Sequence, residues 1–266
     1  MSLDQEFAAL HAGPGMLVLP NAWDAGSAAV IEAAGAKAIA TSSAAVSWSY
    51  GYPDETLPFE KLVVTVAEIA RVVRIPVSAD IVAGYAADAA SIEESVAQIL
   101  DAGAVGVNIE DGREDAPEIL AAKIERARTV AARKGIALWI NARTDVYLRK
   151  LVPPSQAFEE SVRRAALYRE AGADSIFVPA LTDQDEIARM VPAVKVPLNL
   201  LAWDGLPDAA TLAKLGVRRL SAGGWLARAA YNRAYNDARA FLADGGVGIF
   251  TNPEISVPPL NDLMRR

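Results

Sequence analysis

The chain has 266 residues, 52% of them hydrophobic and 22% charged, which predicts one globular unit with a large core rather than a disordered chain. A formal net charge of -7, without any run of Lys and Arg, argues against binding to nucleic acid. The absence of cysteine excludes disulfides, thiolate metal sites and cysteine nucleophiles, and the lack of an apolar run of roughly 18 residues argues against a membrane span, so we expect a cytoplasmic protein.

In chain order, the sequence alternates between helical and strand-like segments. The single histidine, His11, lies in the first helical segment, where we expect it to pack rather than to catalyse. Four helical segments end in glycine just before an apolar run, in EAAGAKAIATSS, LDAGAVGVNIED, REAGADSIFVPA and AKLGVRRLSAGG. Because glycine adopts positive φ at little cost, this repeat is typical of a helix leading into a parallel strand. Together with the short apolar runs in the gaps between these segments, it predicts eight strands, at Met16–Leu19, Ala38–Thr41, Val77–Ala79, Gly106–Ile109, Ala137–Asn141, Ser175–Val178, Pro197–Leu200 and Arg218–Ser221.

Helices are predicted between these strands. The clearest one follows Pro58, with apolar residues from Phe59 to Val73 at helical spacing, and Trp225–Ala243 supplies the eighth. Eight strands alternating with eight helices predict an α/β fold, a (β/α)8 TIM-type barrel, with a doubly wound open sheet as the alternative. We expect residues 1–243 to form the barrel and residues 244–266 to form an extension that packs on it or on a neighbouring subunit.

Polar residues lie at the predicted C-terminal ends of the strands, where barrels of this kind form their active sites. They are Asn21, Asp24, Ser42, Ser43, Asp80, Glu110, Asp111, Arg143, Asp145 and Asn199. We assign structural explanations to three of them: Asp24 caps the following helix, and Asp111 and Asp145 are ordinary surface groups. The others are candidates for an active site.

Asp80, Glu110 and Arg143 each terminate an apolar strand, so we expect them to point into one mouth of the barrel. Crowded carboxylates repel each other unless one is protonated or a cation lies between them, and oxygen ligands of this kind suit Mg²⁺. The planar fork of Arg143 fits the carboxylate of a small organic acid, while Ser42 and Ser43 could hold its other end. A cation facing a 2-oxo acid would stabilise the enolate that forms when the adjacent bond breaks.

At these residues the sequence resembles the isocitrate lyase/phosphoenolpyruvate mutase superfamily, in the branch called phosphoenolpyruvate mutase-like or carboxyphosphonoenolpyruvate phosphonomutase-like. The matching motifs keep the family's order: LPNAWDAGSA (Leu19–Ala28), TSSAAVSWSYGYPD (Thr41–Asp54), ADIVAGY (Ala79–Tyr85), VNIEDG (Val107–Gly112) and NARTDVY (Asn141–Tyr147). The likeness extends from about Phe7 to Ala243. It implies a (β/α)8 barrel whose last helix is exchanged between the subunits of a homo-oligomer, usually a dimer of dimers.

The resemblance also implies a Mg²⁺-dependent site for 2-oxo acids or their precursors. Asp80 matches the direct metal ligand, and Asp54 and Glu110 match acids that reach the metal through water. The residues implied for substrate binding are Ser42, Ser43, Ala44, Asp80, Arg143 and Asn199, and those implied for catalysis are Asp80, Glu110 and Arg143.

Three departures from the family pattern narrow the expected chemistry. Isocitrate and methylisocitrate lyases use the cysteine of a KKCGH loop as acid-base, and this chain has no cysteine. The K-x-N lid of the phosphonate-processing members is replaced by DGREDAPEI, and Val82 stands where the family has another acid. That valine weakens the expected hold on Mg²⁺ unless a neighbouring acid or water compensates.

We therefore expect a Mg²⁺-assisted lyase or decarboxylase that acts on a small 2-oxo or 2-hydroxy dicarboxylic acid. Decarboxylation is compatible with these departures from the family pattern, because a metal-stabilised enolate needs no cysteine acid. Two alternatives remain: a 2-oxo acid-binding protein without turnover, and a phosphonate or phosphoenolpyruvate mutase.

Overall fold

The computed structural model describes residues 1–86, 88–112, 116–248 and 259–265. In this part of the chain one parallel sheet contains the strands β1 Leu17–Leu19, β2 Asn21–Ala22, β3 Ile39–Thr41, β4 Val77–Asp80, β5 Gly106–Glu110, β6 Trp139–Arg143, β7 Ser175–Phe177, β8 Leu198–Leu201 and β9 Arg219–Ser221. Their order is β1-β9-β8-β7-β6-β5-β4-β3-β2. Pro20 alone separates β1 from β2 and has no N–H to donate, so these are two halves of one interrupted strand.

This strand order confirms the predicted α/β fold, a (β/α)8 TIM-type barrel. Neighbours in the sheet are neighbours in sequence except for β1 and β9, whose pairing joins the first strand to the last, whereas the strand order of a doubly wound sheet reverses partway across. Asn21 joins the interrupted strand to both sides of the ring. Its Nδ2 donates to the carbonyl oxygen of Thr41 over 2.7 Å, and its Oδ1 accepts from the amide of Gly223 over 2.7 Å.

The helices of the described residues are α1 Leu3–Ala12, α2 Ala25–Ala33, α3 Ser43–Ser49, α4 Phe59–Val72, α5 Ile92–Asp101, α6 Pro117–Lys134, α7 Pro154–Glu170, α8 Gln184–Val194, α9 Ala209–Leu215, α10 Trp225–Asp244 and α11 Leu260–Leu263. The predicted helices after Pro58 and from Trp225 are confirmed as α4 and α10. Asp24 caps α2 as predicted, since its Oδ1 accepts from the amide of Ser27 over 2.6 Å. No helix in this part of the chain has the length and apolarity needed to cross a bilayer.

The largest displacement of a strand start from the predicted position is at β6. We expected Ala137–Asn141, but β6 covers Trp139–Arg143, whereas β1, β3, β8 and β9 begin one residue late. The amide of Ala137 donates instead to the carboxylate of Asp4 in α1 over 2.8 Å, so it is not available to the sheet. The shift places Arg143 inside the strand, directly opposite Glu110 of β5 in the sheet register.

The largest apolar cluster fills the space between the sheet and the helices that surround it. It includes Ala79, Val107 and Ile140 from adjacent strands, together with Leu62 of α4 and Ile124 of α6. Burial on both faces explains why the strands read as short continuous apolar runs in the sequence. It also gives the polar residues at the strand ends a rigid support.

The packing role predicted for His11 is confirmed. Its side chain is 1% exposed, it stacks on Trp139 with ring centroids 4.1 Å apart, and it meets the edge of Phe7 at 4.7 Å. Nδ1 lies 2.8 Å from the carbonyl oxygen of Phe7. Burial, and then the charge of Arg219, lowers the pKa of His11 to about 3, so the ring is neutral in the folded protein.

The buried imidazole predicts a loss of stability at mildly acidic pH. The folded pKa lies below the unfolded value of 6.5, so unfolding takes up a proton and the contribution of His11 is complete only above pH 6.5. Lowering the pH from 6.5 to 5 should cost about 2 kcal/mol in unfolding free energy. Urea titrations at both pH values should show this loss in the wild type and a smaller one in His11→Gln. An NMR titration of this single histidine with a midpoint near 6.5 would contradict the burial argument.

The end of the chain is only partly described. Four apolar residues of the predicted extension lie outside the described residues: Ile249, Phe250, Ile255 and Val257. Leu263 of α11 is 7% exposed and packs against α2 of the same chain, in a cluster with Ala28 and Ala29. The division into a barrel at 1–243 and an extension at 244–266 stays a prediction.

Candidate active site

A cavity of about 330 Å³ opens at the C-terminal ends of the strands. Asp80 from the end of β4, Arg143 from the end of β6, and Ser42, Ser43 and Ala44 from the start of α3 all line it. The prediction that Asp80, Glu110 and Arg143 point into one mouth of the barrel is therefore confirmed for Asp80 and Arg143, whereas Glu110 is not among the lining residues. Asp54 joins the same cavity from the loop between α3 and α4.

Hydrogen bonds from the backbone fix the carboxylate of Asp80. The amide of Ser43 donates to Oδ2 over 3.0 Å, and the amide of Val82 donates to Oδ1 over 3.3 Å. Val82 has φ of +51°, a left-handed conformation that β-branched residues rarely adopt. Val82 thus supplies a backbone hydrogen-bond donor to Asp80, and it does not supply a second carboxylate to the site.

The charge of Asp80 acts on the carboxyl of Asp54 across the cavity. Burial, together with the charges of Asp80 and Glu55, raises the pKa of Asp54, against the opposing hydrogen bonds from the Glu55 amide and from Ser43. Burial, followed by the charges of Asp80, Asp54 and Glu110, raises the pKa of Tyr85 to about 12, so its phenol stays protonated. A cation between the two carboxylates would relieve their repulsion.

The described residues contain no group of three or more His, Cys, Asp or Glu side chains arranged to hold an ion. Mg²⁺ often binds through only one or two carboxylates, with waters and substrate oxygens completing its shell. Asp80, with Asp54 across the cavity, fits that minimal arrangement. A bound acid would have to supply further oxygen ligands if these two carboxylates were to hold a cation.

Glu110 and Arg143 form a buried ion pair. Nη1 of Arg143 lies 2.7 Å from Oε2 of Glu110, and the two side chains are 14% and 5% exposed. Burial raises the pKa of Glu110, Arg143 opposes this effect, and Asp145 and Asp80 add to it. Glu110 is not among the residues that line the cavity, so its contact with a metal through water stays a prediction.

The interpretation of Asp145 as an ordinary surface group is wrong. Its side chain is 0% exposed, and its carboxylate accepts from Nε of Arg143 over 2.6 Å, from Nη2 of Arg143 over 3.1 Å and from Nε of Arg149 over 2.6 Å. Asp145 therefore fixes the orientation of both arginines. The close sequence spacing of Arg143, Asp145 and Arg149 was the available signal, but it does not reveal burial.

The same interpretation of Asp111 is also wrong. Asp111 is 1% exposed, and its Oδ2 accepts from Nη1 of Arg164 over 2.8 Å and from the hydroxyl of Tyr168 over 2.7 Å. Its Oδ1 accepts from the amide of Asp145 over 3.0 Å. Two side chains of α7, one helical turn apart, thus support the segment that carries Asp145.

Asn199 lies deeper than the predicted substrate contacts. It is fully buried in β8, its Nδ2 donates to Oγ of Ser221 over 3.1 Å, and it does not line the cavity. Its contact with substrate stays a prediction. The structure brings Asp54, Asp80 and Arg143 together with the α3 segment, while Glu110 and Asn199 lie behind that surface.

Aromatic residues that our sequence analysis did not select form another wall of the cavity. Trp48, Trp203 and Trp225 line it, and the rings of Trp203 and Trp225 meet edge to face at 5.8 Å. Trp48 and Trp225 follow soon after the ends of β3 and β9, which was the signal available in the sequence. The aromatic wall also carries a charge, because Arg228 lines the cavity with its guanidinium 5.4 Å from the ring centre of Trp225.

The model of the family described as phosphoenolpyruvate phosphomutase matches residues 7–242. The chain therefore belongs to this family, within the isocitrate lyase/phosphoenolpyruvate mutase superfamily. An uncharacterized protein of Mycobacterium tuberculosis is 36% identical over 241 residues, which cover 90% of this chain and 89% of that protein. The 2-methylisocitrate lyase of Aeropyrum pernix is 35% identical over 196 residues, covering 69% of this chain and 60% of the enzyme.

A solved structure shows the same fold with ligands in place. It is a phosphonopyruvate hydrolase complexed with oxalate and Mg²⁺, with 28% sequence identity and a TM-score of 0.86, and the match covers 99% of this chain and 95% of that one. The names of these relatives include a lyase and a hydrolase of small organic acids. The enzyme class predicted from the sequence, a lyase of this superfamily, agrees with the comparisons.

Proposed function

We propose that this protein is a Mg²⁺-dependent carbon-carbon lyase or decarboxylase acting on a small 2-oxo or 2-hydroxy mono- or dicarboxylic acid. One observation carries the proposal: a hydrogen-bonded carboxylate, Asp80, and an oriented guanidinium, Arg143, line a single cavity of a size suited to a small acid. This chemistry requires a negatively charged side chain that binds the metal ion and a positively charged side chain that binds the substrate carboxylate.

Each side chain has a distinct part in the proposed reaction. Asp80 would hold the cation directly, and Asp54 would reach it through water. When bound, Mg²⁺ supplies positive charge to the developing enolate of the substrate. Arg143, already aligned by Asp145, would bind the substrate carboxylate through donors that Asp145 and Glu110 do not use, since a guanidinium has five. The first turn of α3, with Ser42, Ser43 and Ala44, would bound the opposite end.

The relatives support this proposal through what their names record. One is a lyase of a branched organic acid, and the solved structure pairs Mg²⁺ with oxalate, a two-carbon diacid. Isocitrate-type cleavage through a cysteine acid is unavailable to this chain, because it has no cysteine. Decarboxylation or a related cleavage that releases an enolate needs no such acid.

A carbon-13 NMR assay tests the proposal. Wild-type protein with Mg²⁺ should convert at least one member of a panel of 2-oxo and 2-hydroxy acids, and a chelator should stop the conversion. Asp24→Ala is a suitable control, since loss of the α2 cap should cost about 1 kcal/mol in stability and leave turnover unchanged. No turnover of any panel member would remove the support for an enzyme.

Val82 favours a second candidate, a 2-oxo acid-binding protein without turnover. With a backbone donor where the family has an acid, Asp80 has little help in retaining a cation. Calorimetry that shows micromolar binding of a 2-oxo acid without product would favour this candidate. Rapid product formation would exclude it.

The mutase alternative concerns the segment DGREDAPEI, which stands where the phosphonate-processing members have a lid. Three of its residues, Arg113, Glu114 and Asp115, lie outside the described residues. Phosphorus NMR tests this alternative directly.

We also propose a homo-oligomer in which α10 packs on a neighbouring subunit. All residues of α10 are exposed except Ala227 and the half-buried Asp237, and the exposed ones include Tyr235 and Leu242. Val18 of β1 is 57% exposed on the outside of the barrel, where a barrel helix would normally cover it. Sedimentation should show a dimer or tetramer, and a monomer at micromolar concentration would contradict the proposal. Cytoplasmic location stays a prediction.

A further inference from the structure

A second arginine lies beside Arg143, and our sequence analysis gave it no role. Arg149 is on the segment that follows β6, and its side chain is 11% exposed. It lines a second hollow that adjoins the main cavity and shares Asp54, Arg143 and Leu148 with it. A ligand longer than the main cavity could therefore extend from Arg143 towards Arg149.

Buried acids hold the inner side of Arg149 in place. Its Nε donates to Oδ2 of Asp145 over 2.6 Å, while Nε of Arg143 donates to Oδ1 of the same carboxylate over 2.6 Å. Glu110 lies 3.7 Å from Nη2 of Arg149. Two guanidinium groups flanking one fixed carboxylate are close together and preorganised, which lowers the ordering cost of binding an anion.

An exposed acid occupies the outer side of Arg149. Glu55, whose side chain is 48% exposed, forms an ion pair with Nη2 of Arg149. Its backbone φ of +64° is a left-handed conformation, which costs a glutamate some strain. Glu55 approaches Arg149 from the solvent side, and Asp145 and Glu110 remain beside the guanidinium without it, so a ligand carboxylate of the same charge could replace Glu55.

We propose that Arg149 binds the second carboxylate of a short 2-oxo dicarboxylic acid, displacing the carboxylate of Glu55. This inference rests on the proposed function, in which Arg143 binds the first carboxylate. The shared carboxylate of Asp145 keeps the two guanidinium groups near each other, which suits a diacid of about four carbons. The test also distinguishes the opposite specificity, in which the protein prefers a monoacid whose apolar chain packs on Trp48 and Trp225.

Calorimetry with two four-carbon acids tests the inference in the presence of Mg²⁺. The stable diacid 3,3-difluorooxaloacetate is the first probe, and 2-oxobutyrate, which lacks the second carboxylate, is the second. Arg149→Met should weaken binding of the diacid about tenfold to a hundredfold, the range of a hydrogen bond between charged groups. Binding of 2-oxobutyrate should change less than about threefold. Glu55→Gln should leave diacid binding unchanged or tighten it, because the competing carboxylate is gone.

Control variants distinguish a loss of ligand affinity from a loss of folding. Arg126→Met removes an exposed arginine that pairs with Glu93 far from the cavity, so it should affect neither acid. Arg149→Lys, which keeps a positive charge next to Asp145, should recover part of the diacid affinity if Arg149→Met folds poorly. Thermal unfolding of each variant identifies losses that come from folding.

Three results would overturn the inference. Equal weakening of both acids by Arg149→Met would show a structural role only. Weaker diacid binding in Glu55→Gln would show that the ion pair is needed rather than displaced. Tighter binding of 2-oxobutyrate than of the diacid by the wild type would assign specificity to the aromatic wall. If neither acid binds the wild type with Mg²⁺, the proposed function itself fails.

Discussion

Replacing Asp80 by asparagine should reduce kcat/KM at least about 1,000-fold, which corresponds to roughly 4 kcal/mol of transition-state stabilisation. Asparagine has nearly the same shape, and its amide oxygen can still accept the hydrogen bond from the amide of Ser43. It lacks the negative charge that holds a cation. The loss should therefore come from the missing metal ligand rather than from a disordered cavity.

Two measurements check this explanation. Calorimetry should show that Asp80→Asn no longer binds Mg²⁺ in the presence of oxalate, and circular dichroism should show a folded barrel. A moderate decrease in Tm is expected, because the charge of Asp80 also stabilises the buried guanidinium of Arg219. Activity within tenfold of the wild type would exclude Asp80 as the metal ligand.

Replacing Asp145 by alanine should destabilise the protein by about 3–5 kcal/mol, the usual cost of removing one partner from a buried ion pair. The variant would leave Arg143 and Arg149 without the carboxylate that both of them contact. Urea titration at neutral pH measures the loss. The residual folded protein should also bind 2-oxo acids poorly, because neither guanidinium would keep its orientation.

Asp101→Ala is the matched control for this prediction. Asp101 also pairs with a cation, Lys134, but its side chain is 70% exposed. Its removal should change the unfolding free energy by less than about 1 kcal/mol. If Asp145→Ala were as mild as Asp101→Ala, the buried network around Arg143 would not exist in solution.

Much of the fold follows from local signals in the sequence. Glycine after a helix and an apolar run after that glycine identified four of the eight predicted strands, because both reflect the local geometry of the chain. The interruption at Pro20 and the later start of β6 were missed. The first depends on how a ring closes around a proline, and the second depends on a side chain of α1, Asp4, that is distant in sequence.

The position of the site was predictable from the sequence, but the ion pairs between its acids and arginines were not. Strand-end location correctly placed Asp80 and Arg143 at one cavity, since parallel strands end on the same side. Which acids face the cavity and which are buried behind it depends on long-range contacts. Asp111 and Asp145, judged to be surface groups, have their carboxylates paired with Arg164 and Arg143, and Glu110 is paired as well.

A crystal structure of the protein soaked with Mg²⁺ and oxalate tests the central claim most directly. We predict a cation about 2.1 Å from a carboxylate oxygen of Asp80, with oxalate bound between that cation and the guanidinium of Arg143. Oxalate bound away from either residue, or a cation held by other side chains with Asp80 left to its backbone hydrogen bonds, would contradict the claim.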